Sequence, residues 1–440
     1  MDSLFLDRMS ILLKNEYNDF IKSLEKPSIK GFYTNPLKKN VVSYLDTTHI
    51  NPHPYIKNGY YFDYEQYPLG KHPYFNCGLY YIQEPSAMVV GNLLDVKHDD
   101  YILDMCAAPG GKTCQVASKL SKDGLMITND IHNLRAAILS ENVERFGLEN
   151  TIVTNCDPVI LPETFQNFFD KIILDAPCSG EGMFRKLAKA IDDWSLDKVK
   201  ECAYLQRKLL DSAHQMLKPD GVLVYSTCTY SKEENEDNVL YCMEELGMEL
   251  LPIQKEAGMS PGINMPEVIR LYPHKNSGEG QFIALLKKKE EGKTKKVTFL
   301  KSNITNEQRN LVSIFYKDNL CIPVPKYLYS SNNHIYSIQP QFPMMNKVRI
   351  LRNGLYLGEC KKGRFEPSLS LALTLQKEDV LRYYSFDAEA FEISSYLHGE
   401  TLIGGKGKGY GVIFVDEFPL SFYKESNNQV KNLYPKGLRR

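Results

Sequence analysis

The sequence predicts an α/β protein: a mostly parallel sheet with helices on both faces, an α+β unit before it and small β-rich modules after it. Three observations carry this. Between about residues 80 and 288, short apolar runs alternate with amphipathic stretches, the signature of strands and helices in turn. A glycine-rich segment, Asp104 to Thr113, stands between one such run and the next helix. Beyond residue 297 the composition shifts to Tyr, Phe, Pro and Gly among short apolar runs, which suits β modules joined by turns.

The elements follow in order. Leu4, Phe5, Met9, Leu12, Leu13, Phe20, Ile21 and Leu24 fall at helical spacing and Pro27 ends the pattern, as proline does. The stretch NPHPYIKNGYYFDYEQYPLG reads as irregular or edge-strand chain. Strands are predicted at YILDMC, GLMIT, TIVTN, KIILDAP, GVLVYST and QFIALL, and helices over 112–121, 132–146, 197–217 and 232–246. QFIALL, after a long connection, fits a late, antiparallel edge strand. KKKEEGKTKK at 287–296 reads as a solvated linker. The domains expected are 1–75, 76–288, 298–377 and 378–440.

Composition excludes several classes. With 43% hydrophobic residues the chain is too apolar to be disordered. No run approaches the ~18 apolar residues of a spanning helix, and the start lacks the organisation of a signal peptide. A cytoplasmic protein without a membrane role is expected. The ten cysteines are scattered and form no Cys-x-x-Cys pair, so neither a disulfide scaffold nor a metal site is expected. The net charge of −1 hides an asymmetry: residues 287–440 carry 25 Lys and Arg against 15 Asp and Glu. A polyanion would be drawn to that basic tail.

The glycine segment follows a strand and opens a helix, where backbone N–H groups can approach a ligand. Asp130 ends the next strand, at the place where an acid typically holds a ribose hydroxyl. A dinucleotide site would need G-x-G-x-x-G, which is absent. A P-loop would need a glycine where Cys106 stands. S-adenosylmethionine, held by a looser glycine loop, is the remaining nucleotide reading. Two cysteines also stand just past strands, Cys178 after Asp175 and Pro177, and Cys228 after Thr227. Ligands of open α/β sheets bind outside the carboxyl ends of the strands, so Asp104, Asp130, Asp175, Cys178 and Cys228 should converge on one rim. Carbon 5 of cytosine is a poor nucleophile. A thiolate adding at carbon 6 pushes electron density to carbon 5, which can then attack an electrophilic methyl. Asp175 is placed to act at ring nitrogen 3.

At this point the chain resembles the Fmu/NSUN family of RNA cytosine-5 methyltransferases, and within it the bacterial ribosomal-RNA branch called RsmF. The motifs are Gln83-Glu84-Pro85-Ser86-Ala87-Met88, DMCAAPGGKT, TNDIHNLRA, DAPCSGEGMFRK, STCTYSKEENE and PHKNSGEGQF at 273–282. The resemblance implies a Rossmann-like class I S-adenosylmethionine-dependent methyltransferase with an N-terminal RNA-contacting domain, an RsmF-type C-terminal domain and a PUA-like RNA-binding module ending in NLYPKGLRR. It implies Cys228 as nucleophile and Cys178 in proton removal and product release, with Lys112 and Asp175 positioning or polarising the base. Cys106, Ala107, Ala108, Pro109, Gly110, Gly111, Lys112, Asp130, Arg135, Asp157 and Asp175 would hold the cofactor. Asp157 stands in NCDP, where the family more usually has Asp-Gly. The implied substrate is 16S ribosomal RNA or the small-subunit particle, and a monomer without metal is expected. DNA cytosine-5 methyltransferases use the Pro-Cys cysteine as nucleophile; the presence of both motifs favours the RNA family. A non-catalytic RNA-binding factor would not need both cysteines. Among the remaining residues, Arg185 and Lys186 could touch substrate phosphates or form a solvated pair. His274 has either a functional or a structural role, and Trp194 packs locally.

Overall fold

The computed structural model describes residues 1–289, 296–405 and 407–439. The first helical stretch is two helices, Ser3–Leu13 and Tyr17–Leu24, joined by one 3₁₀ turn. Asp2 caps the first by accepting from the Leu4 N–H. Their buried residues Phe5, Met9, Leu13 and Phe20 pack on Phe184, Trp194, Tyr230 and Tyr272 of the central domain. Four strands follow: β1 (Lys30–Thr34), β2 (Ile50–Pro52), β3 (Gly59–Phe62) and β4 (Tyr80–Gln83), an antiparallel sheet of order β2-β3-β1-β4. The stretch 51–70 is thus only partly edge chain. β2 lies at the edge, but β3 is interior, because Tyr60 stacks on Phe32 of β1 at 5.2 Å.

The central sheet is built on five parallel strands: β5 (Tyr101–Asp104), β6 (Leu125–Asn129), β7 (Thr151–Asn155), β8 (Phe169–Asp175) and β9 (Leu217–Thr227). Their order is β9-β8-β5-β6-β7, so the connections reverse direction between β5 and β8. Ile102, Leu103, Met126, Ile127, Ile152, Val153, Ile172, Ile173, Leu223 and Val224 are all fully buried. A parallel sheet covered on both faces requires such unbroken apolar runs. Helices Gly111–Ala117, Asn133–Phe146 and Leu196–Met216 connect the strands. The long helix starts at the Ser195 cap and buries Leu209, Leu210, Ala213 and Met216, one face at helical spacing.

Strands β10 (Glu249–Leu251), β11 (Met259–Gly262), β12 (Met265–Leu271) and β13 (Gln281–Lys287) extend the sheet. β13 runs antiparallel to β9 but is not an edge: β12 and β11 continue beyond it. The charged residues of MPEVIRL disguise β12. Arg270 is buried there because its guanidinium pairs with the equally buried Glu236. The solvated linker expected at 287–296 is not what its first residues form. Lys287 closes β13, and the buried Lys288 donates to Asn167 Oδ1 at 2.8 Å and to the carbonyl of His214 at 2.7 Å. Residues 290–295 of that stretch lie outside the described residues.

Beyond it come β14 (Leu328–Ser331), β15 (His334–Ser337), β16 (Arg349–Asn353), β17 (Leu355–Lys361) and β18 (Arg364–Pro367). Four of them form the sheet β14-β15-β17-β18, while β16 crosses to pair antiparallel with β7 of the central sheet. Ile338, Phe342 and Met345 from the same stretch join the central core. The last sheet has the order β19-β21-β22-β23-β20, from β19 (Tyr383–Phe386), β20 (Leu402–Ile403), β21 (Gly409–Val415), β22 (Phe418–Ser426) and β23 (Gln429–Asn432). Among the described residues, no helix is long and apolar enough to cross a membrane.

Candidate active site

The loop from Cys106 to Gly111 leaves β5 beside the reversal in strand order. Its backbone is tied to both neighbours: Met105 N–H donates to the Ile173 carbonyl at 3.0 Å and Ala107 N–H to that of Asn129 at 2.8 Å. Gly110 has φ +112°, and a Cβ there would lie 2.8 Å from Leu139 Cδ1, so only glycine fits. Asp130, at the end of β6, accepts from the Ala108 N–H at 3.3 Å and the His132 N–H at 2.9 Å. Arg135 reaches back to donate to the Ala108 carbonyl at 2.6 Å and lies 3.4 Å from Asp130. Cys106, Ala108, Asp130 and Arg135 are therefore brought together. Asp157 is not joined to them by any hydrogen bond among the described residues. It sits exposed past β7 and caps a 3₁₀ turn by accepting from the Val159 N–H at 3.1 Å.

Two acceptor oxygens beside this loop lack partners. Asp104 is fully buried at the end of β5; Thr113 donates to its Oδ2 at 2.7 Å while Oδ1 has no partner. Burial pushes this carboxyl up to about 7, since the charged form is poorly solvated there. Gln83 Oε1 is likewise buried and unpartnered, and the Gln83 amide lies against Gly111. These oxygens suit a ligand carrying an N–H donor or a cation.

On the other side of the reversal, Asp175 ends β8 and accepts from Lys112 Nζ at 2.6 Å, Ser226 Oγ at 2.6 Å and Gln281 Nε2 at 3.2 Å. Burial alone would lower the Lys112 ammonium, but the Asp175 charge and hydrogen bond outweigh it and the net shift is upward. The adjacent parallel strands β8 and β9 release their loops side by side. Cys178 and Cys228 lie there with sulfurs 3.2 Å apart. The hydrogen bond to Cys228, and then burial, push the Cys178 thiol up. Among the described residues no group of His, Cys, Asp and Glu is placed to hold a metal ion.

Other candidates sit elsewhere. Arg185 is not a free phosphate contact. It is buried, donates to both oxygens of Glu279 at 3.0 Å and to the Gly278 carbonyl at 2.8 Å, while Lys186 is exposed. His274 is buried against Phe20 and lies 3.4 Å from Glu16, so it docks the N-terminal helices. Trp194 donates to the buried Glu181 at 2.9 Å. Ser226 and Gln281 escaped the sequence reading, although both stand inside quoted motifs. Glu234, Asn235 and Gln206, which surround the cysteine loops, gave no signal beyond the motif that contains the first two.

Comparison with known proteins is consistent along the chain. Residues 91–287 match the family model of 16S rRNA methyltransferase RsmB/F and residues 1–85 the N-terminal domain of 16S rRNA methyltransferase RsmF. Residues 315–375 match the RsmF rRNA methyltransferase first C-terminal domain and 373–440 the methyltransferase RsmF PUA domain. Ribosomal RNA small subunit methyltransferase F of Salmonella paratyphi A is 30% identical, covering 96% of this chain and 92% of that protein. The protein of the same name from Vibrio vulnificus is 28% identical, covering 99% and 96%. Among solved structures, NSun6 from Pyrococcus horikoshii with SFG aligns with a TM-score of 0.59 and 27% identity, over 66% of this chain and 99% of that one. A methyltransferase homolog from the same organism aligns with 0.59 and 33% identity, over 66% and 95%.

Proposed function

The chain belongs to the ribosomal RNA small subunit methyltransferase F family, and from that premise we propose that it methylates carbon 5 of cytosine in 16S rRNA through a covalent cysteine adduct on the base. The family is S-adenosylmethionine-dependent, and this cofactor supplies an electrophilic methyl group. The residues present fit it. Asp104 Oδ1 and Gln83 Oε1 are unmet acceptors beside the glycine loop, suited to an amino group, and Asp130 stands where a ribose would be held. Cys106, Ala107, Ala108, Pro109, Gly110, Gly111 and Arg135 complete that side. Asp157 is assigned a peripheral place.

The observation that carries the reading is the pair of sulfurs 3.2 Å apart beside the Lys112–Asp175 ion pair. One thiol suffices to attack; a second suits a reaction in which the attacking thiol must also leave. Cys228, having lost its proton to solvent, adds to carbon 6 as a thiolate, forming an S–C bond and shifting electron density to carbon 5, which takes the methyl as the methyl–sulfonium bond breaks and a neutral thioether is left. Lys112, held charged by Asp175, is the cation available to stabilise the negative charge developing on the base. Cys178 assists loss of the carbon-5 proton, after which the S–C bond breaks and Cys228 leaves. The target base must be unstacked for a thiol to reach its ring. The N-terminal unit and the basic C-terminal third are assigned to RNA contact, where Lys and Arg meet phosphates. Mass spectrometry of nucleosides from 16S rRNA, mapped to position with and without the gene, tests this. Loss of 5-methylcytidine at one or more positions is expected. Unchanged 5-methylcytidine, or equal methylation of uridine-only RNA, overturns it.

A further inference from the structure

Cys178 and Cys228 belong to separate loops, and polar side chains hold the two in place. Gln206, fully buried on the Leu196–Met216 helix, donates from Nε2 to the Pro177 carbonyl and to Glu234 Oε2, both at 2.9 Å. Glu234 Oε2 accepts the Ser179 N–H at 3.0 Å, and its Oε1 accepts from Ser179 Oγ. Both neighbours of Cys178 therefore hang on one amide–carboxylate pair. The next residue does the same for the other thiol. Asn235 Oδ1 accepts from Thr227 Oγ1 at 2.6 Å, and its Nδ2 donates to the Thr229 carbonyl at 3.0 Å. Both neighbours of Cys228 are thus clasped by one amide. The two clasps meet where Ser179 Oγ and Thr229 Oγ1 share a hydrogen bond of 2.8 Å.

This arrangement is costly. Glu234 and Asn235 have no exposed surface, and among the described residues no cation bonds the Glu234 carboxylate. Burying such a group is unfavourable even when its hydrogen bonds are met, and burial pushes this carboxyl up to about 7. An apolar pair would pack the same space more cheaply, but could not grip backbone on both sides of a cysteine.

We propose that Glu234 and Asn235 are positioning residues for the two thiols: Glu234 holds Ser179 directly and Pro177 through Gln206, Asn235 holds both flanks of Cys228, and because they are adjacent in the chain they set the sulfur–sulfur separation. The proposal rests on the two-cysteine reading above. A proton handed between a base and two sulfurs is sensitive to placement, and a shift of about 1 Å costs on the order of a hundredfold in rate.

The test uses the full chain and the variants Asn235→Ala, Glu234→Ala, Glu234→Gln and Thr229→Val. The first readout needs neither RNA nor cofactor: equilibration of the thiol pair with glutathione disulfide. Two thiols give up two protons and two electrons to form one S–S bond, and one glutathione disulfide becomes two glutathione thiols. The fraction oxidised, read by alkylation and peptide mass spectrometry, gives the effective concentration of one thiol at the other. It should fall about tenfold or more in both alanine variants. In Glu234→Gln, which retains an acceptor for the Ser179 N–H, it should stay nearer the parent value. The second readout is methyl transfer, where kcat should fall by about 10–100-fold with the cofactor KM unchanged. An effective concentration within about twofold of the parent in both alanine variants overturns the proposal. Should those variants fail to fold, Thr229→Val removes the hydroxyl that joins the clasps, which otherwise accepts just a long bond from the Ser231 N–H, and the same drop or its absence decides. Failure of the parent protein to methylate cytosine speaks against the function alone. An unchanged thiol equilibrium with intact cytosine methylation speaks against the positioning role alone.

Discussion

The two ends of the central sheet both carry polar residues and behave in opposite ways. At the amino ends of the strands the groups satisfy one another. Lys171 pairs with Asp100, and Lys218 donates to both oxygens of Asp170 at 2.8 Å. Asp170 also accepts the Tyr101 N–H at 2.9 Å, and Lys288 is spent on Asn167. At the carboxyl ends, Asp104 keeps an oxygen without a partner, as does Gln83 of β4, which lies against Gly111 there, and the two cysteines have their sulfurs in contact. Polarity at a strand end does not mark a working site. Bonding capacity left open beside a glycine loop does, because folding alone would have closed it.

Substitutions at the two ends should therefore fail differently. The largest effect is expected at Cys228. Cys228→Ala should lower transfer of labelled methyl to RNA by about 10⁴-fold or more. Cys178→Ala should instead leave a protein–RNA adduct that survives a denaturing gel. Adduct formed by Cys228→Ala protein would reverse the two roles. Next comes Lys112→Met, which keeps the stem, removes the charge and leaves Asp175 without its cation. A fall in kcat of about 10²–10³-fold is expected, and steady-state kinetics check it.

The amino end supplies the contrast. Lys171→Met breaks a pair whose members are 12% and 9% exposed, so urea unfolding should show a loss of about 3 kcal/mol. Its methyl transfer at 25 °C should be unchanged; a drop in kcat would erase the distinction between the two ends. The smallest effect is a pH dependence. The folded-state pKa of Asp104 is raised to about 7, above its unfolded value, so the proton stabilises the fold and that stability is lost as pH rises through about 7. Without cofactor, this carboxyl alone should make the protein about 1 kcal/mol less stable at pH 8 than at pH 6. Asp104→Asn should reduce the pH 6 to pH 8 difference in thermal melts, leaving the share of the Glu234 carboxyl, which burial also pushes up to about 7.

Much of this was legible in the residue order, for local reasons. The five parallel strands show as unbroken apolar runs because both faces of the sheet are covered. The rim residues stand directly after them, so strand ends located Asp104, Asp130, Asp175, Cys178 and Cys228. What escaped depends on contacts distant in sequence. Arg185 looks like a surface cation until Glu279, 94 residues on, takes it up. Gln206 looks like the polar face of a helix until Pro177 and Glu234 close on it. β12 hides because Arg270 is read as exposed when its partner Glu236 is unseen. β3 hides because its aromatic residues lie among prolines and glycines, and only the stack on Phe32 makes it interior.

The crossing of β16 to β7 bears on how the gene can be shortened. A chain truncated within 290–295 would keep every residue of the candidate site. It would also lose β16, whose Arg349 and Arg352 now occupy the sheet's outer margin and bond Asn133 at 2.7 Å and Ser370 at 2.9 Å. The β-branched strand Thr151–Asn155 would then be laid open, with its N–H and C=O groups free to recruit strands from other chains. A nonsense mutation within 290–295 would thus act as a loss of folded protein, and its phenotype would match deletion of the gene more closely than weakened RNA affinity. The C-terminal third closes the catalytic sheet as well as following it, which ties its inheritance to that of the enzyme.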